Sequence, residues 1–401
     1  MFNSLLILSG GSSTRFWPLT DKNLTPYLGL TLLEYQLSTF QKIAQQIIIV
    51  TNKSNKSVIE QIVNGTDIQV KLVEQVGNGQ GEAILSAKKY LHGKTLIINA
   101  NDIFNQNIVS ILSRKLELSD CDGVITTRIV SDYFPGGYVI CQDDNVTEII
   151  EKPEKNHVPS ERIKLVVDGY RDISEFIQIL ESTQPIKDDQ YEQSISKYIK
   201  LGKKITYEDY SEDWIAIKYP WDVIAAMQFF LSKIKDTKKN SVKIAGSAEI
   251  QGRVYFDEGV VVHPFATIVG PCYIGKNTII GSYSMIRESN IGRDSLIGGY
   301  SEVTRSYLGN HVYLHRNYVG DSVLENNILM GADAVIANYR FDEQLISSRV
   351  RGEYISTGRS KFGAVIGSNV KIGVNSSIMP GVKIAPSSVV SPQSLIKTDI
   401  S

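Results

Sequence analysis

The sequence predicts two architectures in series: an α/β part with a mainly parallel sheet over residues 1–235, then a parallel β-helix over residues 236–401. Two observations predict this. Through the first half, short apolar runs alternate with helix-like stretches, the pattern of a sheet covered by helices. From Ile244 onward an apolar residue returns at every sixth position. A six-residue period suits neither an α-helix nor an isolated strand. It suits a prism in which three short strands make one coil and the apolar residue of each repeat points inward.

The elements follow in order. Residues 5–8 and 47–50 are apolar strand-like runs, with a helical stretch over 33–46 between them. Further strands are expected at 69–73, 96–99, 123–127, 138–141 and 146–150, and a connecting helix at 221–235. The hexad series then runs through Ile244, Ile250, Phe256, Val262, Ile268, Ile274, Ile280 and Ile286. After shorter steps it continues through Ile291, Ile297, Val303, Leu308, Leu314 and Val319, and it is regular again from Ile366 to Ile396. About ten coils are expected, with residues 332–364 as an inserted structureless loop; such long insertions are often functional.

Composition narrows the function classes. The chain has 401 residues, 42 basic against 43 acidic, a net charge of −1 and 42% apolar residues. That length suits two or three cores, and the balance argues against a nucleic-acid surface. Cys121, Cys141 and Cys272 have no paired spacing, which fits free thiols in a cytoplasmic protein. The apolar run at 5–8 is too short for a signal peptide or a membrane span. His263, His311 and His315 lack carboxylate partners at metal-site spacing, so no zinc site is expected.

Chemistry-bearing residues cluster in two regions. Gly10-Gly11-Ser12-Ser13-Thr14-Arg15 follows a strand. Glycines there let backbone N–H groups approach a polyphosphate, and Arg15 would offset its charge. The frame continues with Pro18-Leu19-Thr20, Lys22, Pro26, Gly29 and Leu33-Glu34-Tyr35. It resembles the opening of the sugar-1-phosphate nucleotidyltransferases. Together with the hexads, nearly the whole chain resembles the bifunctional N-acetylglucosamine-1-phosphate uridyltransferase/glucosamine-1-phosphate acetyltransferase family and its archaeal members. The resemblance implies a Rossmann-like nucleotidyltransferase domain and left-handed winding of the β-helix.

It also implies roles. Gly10 and Gly11 would bind the nucleotide with Gln75 and Gly81, the latter in Gly79-Gln80-Gly81-Glu82-Ala83. Arg15 and Lys22 would be catalytic. Asp102, in Asn101-Asp102-Ile103-Phe104, would hold Mg²⁺, and Glu151 and Lys152 would face the sugar and its phosphate. The substrates would be UTP or dTTP and a sugar-1-phosphate. Three departures bear on this half. Ala216 stands where the family has a second metal-binding Asp, Val166 starts the segment aligned with a sugar-contacting Asn-Ala-Gly, and the segment after Thr20 is shortened, with Asn23 and Leu30-Thr31 replacing a Pro and a Lys-Pro.

The second region is Leu314-His315-Arg316-Asn317-Tyr318, with Asn338 downstream. It resembles the acetyltransferase segment whose His acts as general base. A neutral imidazole suits proton removal from an attacking amine near pH 7. Tyr318, Asn338 and Arg287 would bind the amino-sugar phosphate, and acetyl-CoA would be the co-substrate. The family's site lies between subunits, which implies a homotrimer, with no nucleic acid and no membrane partner. Thr304 replaces a family lysine, with Arg305 beside it. Two functions stay open: an enzyme coupling nucleotidyl transfer to N-acetyl transfer, or a paralogue whose degenerate first domain is structural or regulatory.

Overall fold

β-Branched and leucine-rich runs supply the strands of the first sheet, and in the central strands nearly every side chain is buried. In the computed structural model, which describes residues 1–185 and 189–401, the strands are β1 (Phe2–Leu8), β2 (Ala44–Thr51), β3 (Val70–Glu74), β4 (Thr95–Asn99), β5 (Gly123–Ile129), β6 (Gly137–Gln142), β7 (Asn145–Glu151), β8 (Arg162–Tyr170) and β9 (Ile205–Asp209). Their order is β3-β2-β1-β4-β8-β5-β9-β7-β6. The first four are mutually parallel, with Leu6 opposite Ile48 and Ile97. The rest of the sheet is mixed, with β9 still parallel to β5. β8 runs antiparallel between β4 and β5, and β6 and β7 form a hairpin whose turn places Asp143 at φ 53°.

The helices are α1 (Leu32–Phe40), α2 (Lys56–Asn64), α3 (Gly79–Ser86), α4 (Asn107–Leu118), α5 (Ser174–Glu181), α6 (Gln190–Lys200) and α7 (Asp222–Ser232). α1 stops well short of residue 46. The run Ile47-Ile48-Ile49-Val50 gains more by pairing with β1, and this extends β2 back to Ala44. Met1–Ser12 and Leu33–Trp214 form one compact unit, and Ser13–Leu32 and Ile215–Ser401 a second.

In the second unit the hexads close into a left-handed parallel β-helix. Among the described residues, its three faces each carry eight parallel strands, so the prism is shorter than the expected ten coils. Inward residues stack in register. One ladder runs Ile250–Ile268–Ile286–Val303–Val319–Ile336–Ile378–Ile396. Another runs Ile244–Val262–Ile280–Ile297–Leu314–Met330–Ile372–Val390. Apart from partly buried Ile244, Ile250 and Ile396, all of these belong to the buried core. At one corner Phe265, Tyr283 and Tyr300 take φ of 61–62°. Left-handed backbone costs an L-residue roughly 1–2 kcal/mol; here the rings stack at 5.0 Å spacing, which offsets part of it.

The insertion is shorter than expected and is structured. Met330 and Ile336 continue the coils, so the interruption covers residues 337–363, and it contains a hairpin of Ile346–Val350 with Glu353–Arg359. One outer face of the prism is covered within its own unit. Tyr27 stacks on Phe230 of α7 at 5.1 Å, Tyr307 donates its hydroxyl to Pro26 O at 2.9 Å, and the backbone N–H of Thr20 donates to Glu325 Oε1 at 2.7 Å. A second outer face carries Val261, Ile279, Leu296, Tyr313 and Leu329 on successive coils. Ile279, Tyr313 and Leu329 are 38–41% exposed there. Among the described residues no helix is long and apolar enough to cross a membrane.

Candidate active site

In the first unit the candidate residues gather at the carboxyl ends of the parallel strands, where open α/β sheets bind ligands. β1 ends at Leu8, and the loop after it is held from two sides. Asn55 donates to Ser9 O at 2.8 Å, and Asn52 donates to Gly11 O at 3.0 Å. A Cβ on Gly10 would lie 1.9 Å from Gln75 Oε1, whereas one on Gly11 would meet nothing within 4 Å. Gly10 therefore lets Gln75 close over the loop, and Gly11 leaves backbone open to a ligand. Gln75 donates to Gly79 O at 3.0 Å, which joins the two sequence-predicted nucleotide segments. Gly81 is equally constrained, because a Cβ there would lie 2.3 Å from Gln190 Oε1. A cleft beside it is lined by Asn78, Gly79, Gly81, Gln190, Tyr191 and Glu192.

Asp102 follows β4 and is buried, with Asn101 donating to its Oδ1 at 3.0 Å and Gln36 donating to its backbone carbonyl at 3.2 Å. Among the described residues no group of three or more His, Cys, Asp or Glu is placed to hold a metal ion. A cation at Asp102 would thus draw most of its ligands from water and substrate phosphates, a mode that suits Mg²⁺. Glu151 ends β7 and pairs with Lys152 Nζ at 2.7 Å. Gly137 lies against Glu151 and Glu192, with 3.0 Å from a built Cβ to Glu151 Oε2.

Sequence reasoning missed a buried polar network on β8. Lys164 Nζ lies 2.6 Å from Asp168 Oδ2, and Tyr191 donates to the same oxygen at 2.7 Å. Burial holds the Asp168 carboxyl above its usual range even beside Lys164. Burial also pushes Glu192 up to about 7, with Glu151 raising it further and Lys164 opposing. The available signal was spacing: a lysine and an aspartate four residues apart flank Val166 in an apolar run, and on β8 a bulge between Leu165 and Asp168 interrupts the regular alternation. Val166 itself is buried in the apolar core.

In the second unit, Arg15 lies in a single turn of 3₁₀-helix, Thr14–Phe16, and its guanidinium carbon is 5.9 Å from the ring centre of Tyr219. Lys22 is half-buried on the segment that covers the prism. Arg287, Tyr318 and Asn338 come together on one face. Arg287 bonds Glu302 at 2.6 Å, and Glu302 pairs in register with Tyr318. Burial, then Glu302, raises the Tyr318 hydroxyl above its ordinary range. A Cβ on Gly320 would lie 2.5 Å from Asn338 Nδ2 and 2.7 Å from Tyr318 Oη, so glycine is needed for these two to meet. Asn338 donates to Asp321 Oδ2 at 2.5 Å, and Arg305 grips both oxygens of that carboxylate at 2.7 and 2.8 Å. Thr304, at the family lysine's position, accepts from Arg305 at 3.0 Å. His315 sits exposed at the corner before the Tyr318 strand, its backbone N–H donating to Asn317 Oδ1 at 2.5 Å. Its imidazole has no hydrogen bond or ion pair with any described residue, which leaves it open to a ligand.

A glycine loop and the buried Asp102 at the ends of parallel strands, followed by a hexad prism, are the features of a nucleotidyl-transferring enzyme with an acyltransferase-type β-helix. Residues 4–215 match the nucleotidyl transferase family, and residues 253–288 and 363–398 match the six-repeat hexapeptide of bacterial transferases. The chain belongs to the nucleotidyl transferase family and is a transferase. It is 30% identical to the bifunctional protein GlmU of Methanococcus vannielii, over 98% of this chain and 95% of that one. It is 31% identical to the bifunctional sugar-1-phosphate nucleotidylyltransferase/acetyltransferase of Sulfurisphaera tokodaii, over 98% and 97%. In fold it is similar to a UDP-glucose pyrophosphorylase solved with UDP-glucose, with a TM-score of 0.51 and 17% identity over 58% of this chain and all of that one.

Proposed function

We propose that the chain catalyses two reactions of nucleotide-amino-sugar synthesis. In the first, a sugar-1-phosphate oxygen attacks the α-phosphorus of UTP or dTTP and pyrophosphate leaves. In the second, an amino-sugar-1-phosphate amine takes the acetyl group of acetyl-CoA and CoA thiol leaves. The observation that carries this reading is that one chain joins both family matches with a glycine loop at a strand end and the Tyr318–Asn338 cluster on the prism.

For nucleotidyl transfer, catalysis rests on positioning and charge neutralisation. Backbone N–H groups at Gly10 and Gly11 bind phosphate oxygens, and Arg15 and Lys22 offset the charge that grows on the leaving pyrophosphate. Gln75 and Gly81 hold the base, Glu151 accepts from sugar hydroxyls and Lys152 meets the sugar phosphate. Asp102 would hold Mg²⁺, which supplies charge neutralisation across the phosphates. With alanine at 216, the protein's own contribution to that ion is one carboxylate, so this half turns over slowly.

For acetyl transfer, His315 takes the proton of the attacking amine, Tyr318 and Asn338 orient the sugar, and Arg287 meets its phosphate. The apolar strip from Val261 to Leu329 supports a homotrimer packed prism to prism, a head-to-tail contact that closes into a ring. Residues 1–235 and 236–401 are proposed as the two functional domains. Balanced charge and free cysteines support a cytoplasmic enzyme without a nucleic-acid or membrane partner. The test is pyrophosphate release from UTP or dTTP with a hexose-1-phosphate, and CoA release from acetyl-CoA with glucosamine-1-phosphate or galactosamine-1-phosphate. Absence of both activities would refute the proposal.

A further inference from the structure

We propose that Glu192, at the start of α6, is a specificity-determining residue of the sugar subsite in the first unit and selects a hexosamine-1-phosphate that carries a free ammonium. The inference rests on the nucleotidyl-transfer reading and narrows its sugar substrate to the unacetylated amine.

Glu151, Asp168 and Glu192 act on one another within this unit, and the lysines beside them are already engaged. Lys164 pairs with Asp168 at 2.6 Å and Lys152 with Glu151 at 2.7 Å. Glu192 is the acid left over. It is only 7% exposed, yet beyond its own backbone N–H no described residue donates to its carboxyl or pairs with it. The other buried acids among the described residues each have a donor from elsewhere in the chain. Asp21 accepts from Asn23 N–H, Asp102 from Asn101, Asp168 from Lys164 and Asp321 from Arg305.

Glu192 stands between the two ligand segments of this half. Toward the nucleotide segment it lines the cleft with Asn78, Gly79 and Gly81. Toward the sugar segment it shares Gly137 with Glu151: a Cβ built on Gly137 would lie 3.0 Å from Glu151 Oε2 and 3.4 Å from Glu192 Cγ. Glycine there lets the two acidic side chains converge. Burial and the Glu151 charge both push Glu192 toward its protonated form, because a buried carboxylate without a partner is costly. A ligand ammonium beside the pair lets both carboxyls ionise and supplies the missing counter-charge. A hydroxyl or an acetamido group brings no charge, and Val166, between Lys164 and Asp168 in sequence, brings no side-chain donor for an acetamido carbonyl. The ammonium takes no part in the transfer; it stays on the sugar and decides which sugar is held.

The test is pyrophosphate release by the full chain with UTP or dTTP, without acetyl-CoA so that the amine stays free. Glucosamine-1-phosphate, N-acetylglucosamine-1-phosphate and glucose-1-phosphate are compared. Wild type should favour glucosamine-1-phosphate in kcat/KM by about tenfold over either of the others, the effect of one charge-assisted hydrogen bond. Glu192→Gln keeps the shape and removes the charge, so it should erase most of that preference. A wild type with no preference for the amine overturns the inference whether or not the variant folds, and so does a Glu192→Gln variant that keeps the preference. In both cases release with any of the three sugars leaves the nucleotidyl-transfer reading standing. Release with none of them brings down both.

Discussion

Lys164 and Asp168 form an ion pair at 2.6 Å with both side chains essentially out of solvent. The pair is joined by Tyr191, which in turn accepts from the Tyr170 hydroxyl at 3.1 Å. Removing one partner strands the other charge, whereas replacing both with apolar groups does not. Lys164→Met alone should therefore cost about 3–5 kcal/mol, and Lys164→Met with Asp168→Leu much less. Urea midpoints of the two variants decide it. A double variant as unstable as the single would show that the ion pair itself is stabilising.

Glu192 makes the first unit sensitive to pH. Its folded carboxyl titrates at about 7 against an unfolded value near 4.5. Between those values the folded state holds a proton that the unfolded state has lost, so stability falls as pH rises from 4.5 to 7. The full span is at most about 3 kcal/mol. Lys164, Glu151 and Asp168 all act on this group. Glu192→Gln should flatten that part of the profile; an unaltered slope would place the titration elsewhere.

The share of this structure legible in sequence follows from which interactions are local. The hexads were legible because every coil needs an inward apolar residue, and Ile250 to Ile396 stack as the period requires. Across the five-residue steps at Ile291, Leu308 and Val319 the inward stacking is kept in register. The placement of Ser13–Leu32 with the prism was not legible. It rests on backbone groups meeting side chains far along the chain, as Leu28 N–H meets Asn290 Oδ1 at 3.1 Å. The Arg305–Asp321–Asn338 relay is similar: Asn338 was read as a sugar contact, but its dependence on Asp321 appears only when the coils stack.

On the proposed reading, Ala216 limits the first reaction. Ala216→Asp should raise pyrophosphate release with UTP or dTTP and a hexose-1-phosphate, by supplying a second carboxylate for the metal. Wild-type turnover near the typical enzyme value of about 10 per second would show instead that one carboxylate suffices.

The apolar strip of Ile279, Tyr313 and Leu329 should be covered in solution. Light scattering should give a mass of three chains, and Tyr313→Glu with Leu329→Glu should shift it to one. A monomeric wild type at micromolar concentration would leave the strip without a partner and the acetyl-transfer site without its neighbour.

The central claim is that two residue sets on one chain run two separable transfers. The direct measurement is pyrophosphate release and CoA release, assayed in parallel on wild type, Arg15→Ala and His315→Ala. Arg15→Ala should lose pyrophosphate release and keep CoA release. His315→Ala should lose CoA release by about 10²–10⁴-fold, the usual contribution of a positioned base, and keep pyrophosphate release, since the inward positions beside it are Leu314 and Val319 and remain intact. Contradiction would be a wild type that releases neither product, or a His315→Ala variant as fast as wild type.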